Sequence, residues 1–103
     1  MTRVEVGPFS NLEEGVGVRV DLTDHRIAVF LVDGSLFAIG DRCSHAEASL
    51  SEGEVYDTEV ECPRHGSTFD LETGEPQSLP ATKPVPTYKV FVEEGTVFLE
   101  VDE

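Results

Sequence analysis

The chain is short of positive charge. Seven Lys and Arg stand against 21 Asp and Glu in 103 residues, a formal net charge of −14. Nucleic acid and anionic membrane surfaces would be repelled, so neither is expected as a partner. The balance suits solubility and attraction toward a basic protein patch. Long apolar runs are missing too. The longest, Ile27 to Val32, has six residues, where a membrane span needs roughly 20. No apolar leader follows Met1-Thr2-Arg3-Val4-Glu5, and the expected location is the cytoplasm.

Cysteine is scarce as well. A disulfide would consume both cysteines of the chain and leave the histidines beside them unexplained. Free thiols in a reducing compartment are expected instead. No glycine-rich phosphate loop follows a strand, and no Ser/His/Asp set stands apart from those cysteines and histidines. The three histidines are also too few to add a mononuclear site of two His and a carboxylate. Helical periodicity is nearly absent. Only Ala46 to Leu50 looks faintly helical, and that is too short to stand alone.

What is present reads as strands. Val4 and Val6 alternate with charged residues until Pro8. Val16, Val18, Val20 and Leu22 alternate with Gly17, Arg19 and Asp21, the period of a half-buried strand. Ile27 to Val32 reads as a central strand covered on both faces, Asp33-Gly34 as a tight hairpin turn, and Ser35 to Ile39 as the return. Shorter strands are expected at 54–56, 59–62 and 67–70, with a turn at Thr73-Gly74. Pro76, Pro80, Pro84 and Pro86 mark an irregular stretch. A hairpin around Glu94-Gly95 closes the chain. Phe30, Phe37, Phe91 and Phe98 are assigned to the core, and Tyr56 and Tyr88 to half-buried strand positions. His25 is expected in a surface turn. The result is a single all-β domain over 1–103. An antiparallel sandwich or barrel base carries a smaller inserted β subdomain at about 41–76 and a Pro-rich loop at about 78–86.

The chemistry concentrates in two runs, Cys43-Ser44-His45 and Cys62-Pro63-Arg64-His65-Gly66, with sixteen residues between His45 and Cys62. Each offers one thiolate and one imidazole, which suggests a metal centre. A zinc finger groups like with like, yet one tetrahedral zinc could still take two Cys and two His in this order. A binuclear iron centre uses mixed pairs more naturally, with both cysteines on one iron and both histidines on the other.

The pattern Cys-x-His, sixteen residues, Cys-x-x-His resembles the Rieske [2Fe–2S] ferredoxins, especially the soluble ferredoxin components of bacterial ring-hydroxylating dioxygenases. Pro63, Gly66 and the segment Leu79-Pro80-Ala81-Thr82-Lys83-Pro84 carry the resemblance further, and it spans essentially the whole chain. It implies the Rieske fold and one [2Fe–2S] cluster. Cys43 and Cys62 would ligate the inner iron, and His45 and His65 the outer iron near solvent. Gly66 would let a backbone N–H approach a bridging sulfide. The Pro-rich segment would fold over the cluster.

Two departures from the respiratory branch matter. The paired extra cysteines are absent, with Ala46, Glu47 and Arg64 in their neighbourhood. Ser67 matches the serine that donates to the cluster, but Phe69 stands where that branch has tyrosine and lacks its hydroxyl. Fewer donors and a charge of −14 make reduction harder, so the potential should lie low in the roughly −150 to +300 mV Rieske range. The implied role is a monomeric, cytoplasmic electron carrier between a flavin-dependent ferredoxin reductase and a terminal oxygenase. Alternatives are a small subunit of a reductase such as nitrite reductase, a ferredoxin of iron–sulfur cluster assembly, or a zinc-stabilised interaction module. Arg42 and Arg64 flank the ligands and, with His45 and His65, are candidates for partner docking. Glu47, Glu52, Glu54 and Asp57 form an acidic face near the same end.

Overall fold

The longest apolar run of the sequence becomes a strand with no wet face. In the computed structural model, which describes residues 2–43, 48–64, 66–79, 81 and 83–101, Arg26–Val32 is extended and Ile27 to Val32 are all buried. The described strands are β1 (Thr2–Pro8), β2 (Val18–Asp21), β3 (Arg26–Val32), β4 (Ser35–Gly40), β5 (Val55–Tyr56), β6 (Glu59–Glu61), β7 (Thr68–Asp70), β8 (Lys89–Glu93) and β9 (Thr96–Val101). All pairings between them are antiparallel. They form three three-stranded sheets, ordered β1-β9-β8, β2-β3-β4 and β5-β6-β7. The all-β reading holds.

Turn chemistry sets the register. Asp33 (φ 50°) and Gly34 (φ 79°) both take positive φ, as do Glu94 (φ 51°) and Gly95 (φ 79°). Two successive positive φ values match the right-handed twist of the flanking strands. The first turn aligns Val32 with Ser35 and Ile27 with Gly40. The second aligns Glu93 with Thr96 and Lys89 with Glu100.

The first two sheets join through the chain entering β8. Ile39 bridges Thr87, Gly40 N–H donates to the Pro86 carbonyl at 2.8 Å, and Tyr88 N–H donates to the Ala38 carbonyl at 2.9 Å. Period-2 alternation then divides β3 between two cores. Ile27 and Val29 pack with Ala38, Leu99 and Val101 inside the base. Ala28, Phe30 and Val32 pack on the other side with Ile39, Leu50, Val60, Phe69, Leu71, Ala81, Val85 and both cysteines. The third sheet and the Pro-rich stretch are thus fastened to the base by side chains of β3.

Several local expectations are corrected. The second strand starts at Val18, and Val16 is exposed. Ala46 and Glu47 lie outside the described residues; the helical feature in this region is a single 3₁₀ turn at Leu50–Glu52. Phe91 and Phe98 are not core residues. Val97, Leu99 and Val101 take the inward face of β9, which turns Phe98 outward opposite Phe91. The two rings stack at 5.8 Å, and the Arg3 guanidinium lies 4.9 Å and 5.1 Å from their centroids. Tyr56 is exposed with its phenol on Glu54. His25 is partly buried in the β2–β3 turn, 3.2 Å from the Tyr88 hydroxyl. Among the described residues no helix is long and apolar enough to cross a membrane.

Because Phe30 is fully buried on the insert side of β3, Phe30→Ala is expected to cost about 3–5 kcal/mol in urea unfolding. Val92→Ala on the exposed face of β8 should stay within about 0.5 kcal/mol.

Candidate metal centre

Both cysteines sit just beyond strand ends, Cys43 after β4 and Cys62 after β6. Neither is in a disulfide; they are 3% and 1% exposed and belong to the same apolar cluster. The two loops close in the same way. Cys43 N–H donates to the Ala48 carbonyl at 3.1 Å, and Cys62 N–H donates to the Ser67 carbonyl at 2.6 Å. Each cysteine therefore opens a six-residue loop whose last residue returns to its own backbone. His45 and His65, third and fourth in their loops, lie outside the described residues, as do Ser44, Ala46, Glu47, Pro80 and Thr82.

The second loop passes from core to surface and back. Cys62 and Ser67 are buried, while Pro63, Arg64 and Gly66 are exposed. Gly66 has φ 77°, the left-handed region that glycine enters without strain. A Cβ there would meet nothing closer than the Glu61 carboxylate at 3.9 Å, so the backbone angle and not crowding calls for glycine. The Gly66 N–H donates to the Cys62 carbonyl at 3.0 Å. It braces the loop, a use that the sequence reading did not anticipate.

Ser67 is fully buried. Its hydroxyl oxygen accepts the Ala81 N–H at 3.0 Å, which ties the Pro-rich stretch to the second loop and leaves the hydroxyl proton to donate elsewhere. The same stretch is held by Ser78 Oγ, which accepts the Thr68 N–H at 3.0 Å, and by Val85 N–H donating to the Gly74 carbonyl at 2.8 Å. Ala81 and Val85 are buried in the cysteine cluster, and Leu79 is 78% exposed. Phe69 is fully buried there and pairs with Val60. Arg42 and Arg64 are exposed. Pro63 and Arg64 face Ala48 and Ser49 across a 360 Å³ cleft that Arg19, Arg26 and Glu52 complete. Glu52, Glu54 and Asp57 are exposed.

One residue escaped the sequence reading. Asp41, two positions before Cys43, is fully buried. It accepts from Arg26 Nε at 2.8 Å, from Ser49 Oγ at 2.6 and 2.8 Å, and from the Ser51 N–H at 2.8 Å. Burial pushes its carboxyl up, but the hydrogen bonds from Ser49, Ser51 and Arg26 outweigh this and hold it below the usual range. The signal available in the sequence was an acidic residue at the end of an apolar strand, directly before the ligand run.

The donor chemistry fits a metal cluster. Two buried thiols in one apolar cluster would be costly as bare thiolates, and coordination offsets that cost. Two buried thiols presented from paired loops of a small all-β protein supply half of a four-ligand metal site. The Rieske [2Fe-2S] domain matches residues 2–89. The chain belongs to that family, and its cofactor is one Rieske-type [2Fe–2S] cluster. It is similar to the 3-phenylpropionate/cinnamic acid dioxygenase ferredoxin subunit of Escherichia coli (strain K12), at 46% identity over 104 residues covering 100% of this chain and 97% of that protein. Among solved structures it resembles the ferredoxin of carbazole 1,9a-dioxygenase from Nocardioides aromaticivorans IC177, with a TM-score of 0.91, 36% identity, and coverage of 96% of this chain and 97% of that one. It also resembles a chain in a complex of reduced oxygenase and oxidized ferredoxin in carbazole 1,9a-dioxygenase, with a TM-score of 0.89, 37% identity, and coverage of 94% and 91%.

Ser67→Ala removes the acceptor of the buried Ala81 N–H. We expect the holoprotein to lose about 1–3 kcal/mol of stability in urea, with faster proteolysis in the Pro-rich stretch.

Proposed function

We propose that the chain is the ferredoxin component of an aromatic-ring-hydroxylating dioxygenase system. The observation that carries this reading is 46% identity along the entire chain to a dioxygenase ferredoxin subunit. The protein is an electron carrier and not a catalyst on its own. It takes electrons singly from a flavin-dependent reductase and passes them to a terminal oxygenase, as a cytoplasmic monomer. Cys43, Cys62, His45 and His65 would hold the cluster, the cysteines from the buried side and the histidines from the other. When bound, the cluster supplies a one-electron redox couple.

The residues around it do the rest. The cysteine end of each loop is dry, which keeps water from the thiolates. Ser67, its oxygen already engaged by Ala81, has its proton left to direct at sulfur. Phe69 offers no donor, and the missing hydrogen bond keeps the potential low. Arg42 and Arg64, exposed beside the ligand positions, join His45 and His65 in the docking face. The potential suits accepting electrons from a flavin and supports no quinol oxidation.

The purified protein should contain two irons and two acid-labile sulfides per chain; one zinc and no sulfide would overturn the assignment. Cys43→Ala and Cys62→Ala should each abolish the bound iron. Phe69→Tyr adds a donor that favours the more negative reduced state. A hydrogen bond of about 1 kcal/mol corresponds to roughly 40 mV in a one-electron couple, so redox titration should show the midpoint rising by that order.

A further inference from the structure

We propose that Asp41 is the positioning residue of the first ligand loop: its buried carboxylate fixes the neck from which Cys43 is presented. The inference rests on Cys43 being a cluster ligand. Buried polar residues are few among the described ones, namely Asp41, Ser49 and Ser67, and Asp41 alone of them is ionisable. A buried ion pair seldom stabilises a fold better than apolar packing would, so this carboxylate calls for a reason beyond stability.

The contacts supply it. Asp41 touches every strand of chain that leads into or out of the loop. Its N–H donates to the Arg26 carbonyl at 2.8 Å, and its own carbonyl accepts the Leu50 N–H at 2.6 Å. Its carboxylate grips the Arg26 side chain of β3 on one side, and Ser49 Oγ and the Ser51 N–H on the other. Arg42 and Ser49 pair as an isolated bridge, and Cys43 N–H closes on Ala48. The entering arm, 41–43, and the leaving arm, 48–51, are therefore pinned to each other and to the base. An apolar side chain at 41 could fill the volume but could not orient two hydroxyl or N–H donors and a guanidinium. Metal ligands need placement within a few tenths of an ångström, and a rigid neck limits how far Cys43 can stray.

Asp41→Asn keeps the shape but turns an NH₂ toward donors that require an acceptor. The test compares holoproteins at 25 °C: wild type, Asp41→Asn, Ser49→Ala, and Val29→Ala, a base-core substitution on the far face of β3. Cluster loss to a strong chelator is followed by visible absorbance, thermal midpoints are recorded for each, and the electron paramagnetic resonance of the reduced state is measured. Asp41→Asn should release its cluster about tenfold or more faster than wild type and shift the resonance, and Ser49→Ala should move in the same direction. Val29→Ala should lower the thermal midpoint yet leave the release rate within about twofold, since it does not touch the neck. Release that merely tracks the thermal midpoint across all variants, or an unchanged resonance in Asp41→Asn, would overturn the proposal. If Asp41→Asn does not accumulate as folded protein, Ser49→Ala against Val29→Ala decides by the same comparison. A wild-type protein without iron and sulfide would instead refute the ligand assignment itself.

Discussion

β3 is buried on both faces, and the rest of the structure depends on that. A strand of an antiparallel sheet commonly shows one face to a core and the other to water. Here Ile27 and Val29 seal the base, while Ala28, Phe30 and Val32 seal the cluster end. One rigid element therefore serves two cores, and the base acts as a handle for the insert. Arg26, the first residue of the same strand, reaches from the base to Asp41. Packing and electrostatics thus meet at the point where the chain leaves β4 for the first ligand loop.

The two cysteine loops are fixed by different means. Each is closed by a cysteine N–H bonded to the carbonyl five residues on. The first is then braced from below by a charged, buried carboxylate. The second is braced by a neutral serine that accepts from the Pro-rich stretch, and by a Gly66 N–H turned back on Cys62. The first neck is anchored in the base sheet, the second in a loop.

Much of this was legible in the sequence. The family and the β architecture follow from residue types and spacing, because the Cys/His spacing and period-2 patterns are local signals. Asp33-Gly34 and Glu94-Gly95 announced their turns for the same reason. What escaped was non-local. In Val97-Phe98-Leu99 every residue is apolar, so the pattern does not say which parity faces inward; the base core decides, and Phe98 lands outside. Asp41 looked like one of 21 acidic residues. Its burial depends on Ser49, Ser51 and Arg26 arriving around it, which no window of sequence displays. Gly66 takes φ 77°, a freedom visible in the residue type, but its N–H partner is set by closure of the loop.

The same geometry explains how a strongly acidic chain can hold a further negative centre. Acidic side chains at the cluster end are mostly solvated, so water screens them. Asp41 is the buried exception, and Arg26 meets it at 2.8 Å. Arg19, Arg26 and Arg64 all border the cleft between the two loops, and Arg42 lies on the first neck. Four of the seven basic residues are thus gathered at this end of the molecule. Their placement offsets the charge of the acidic side chains at this end. Hydrogen bonds tune a cluster at short range, whereas solvated guanidiniums act weakly through water. Any tuning of the proposed centre therefore falls to the donors present or missing at positions 67 and 69 more than to the cation cluster.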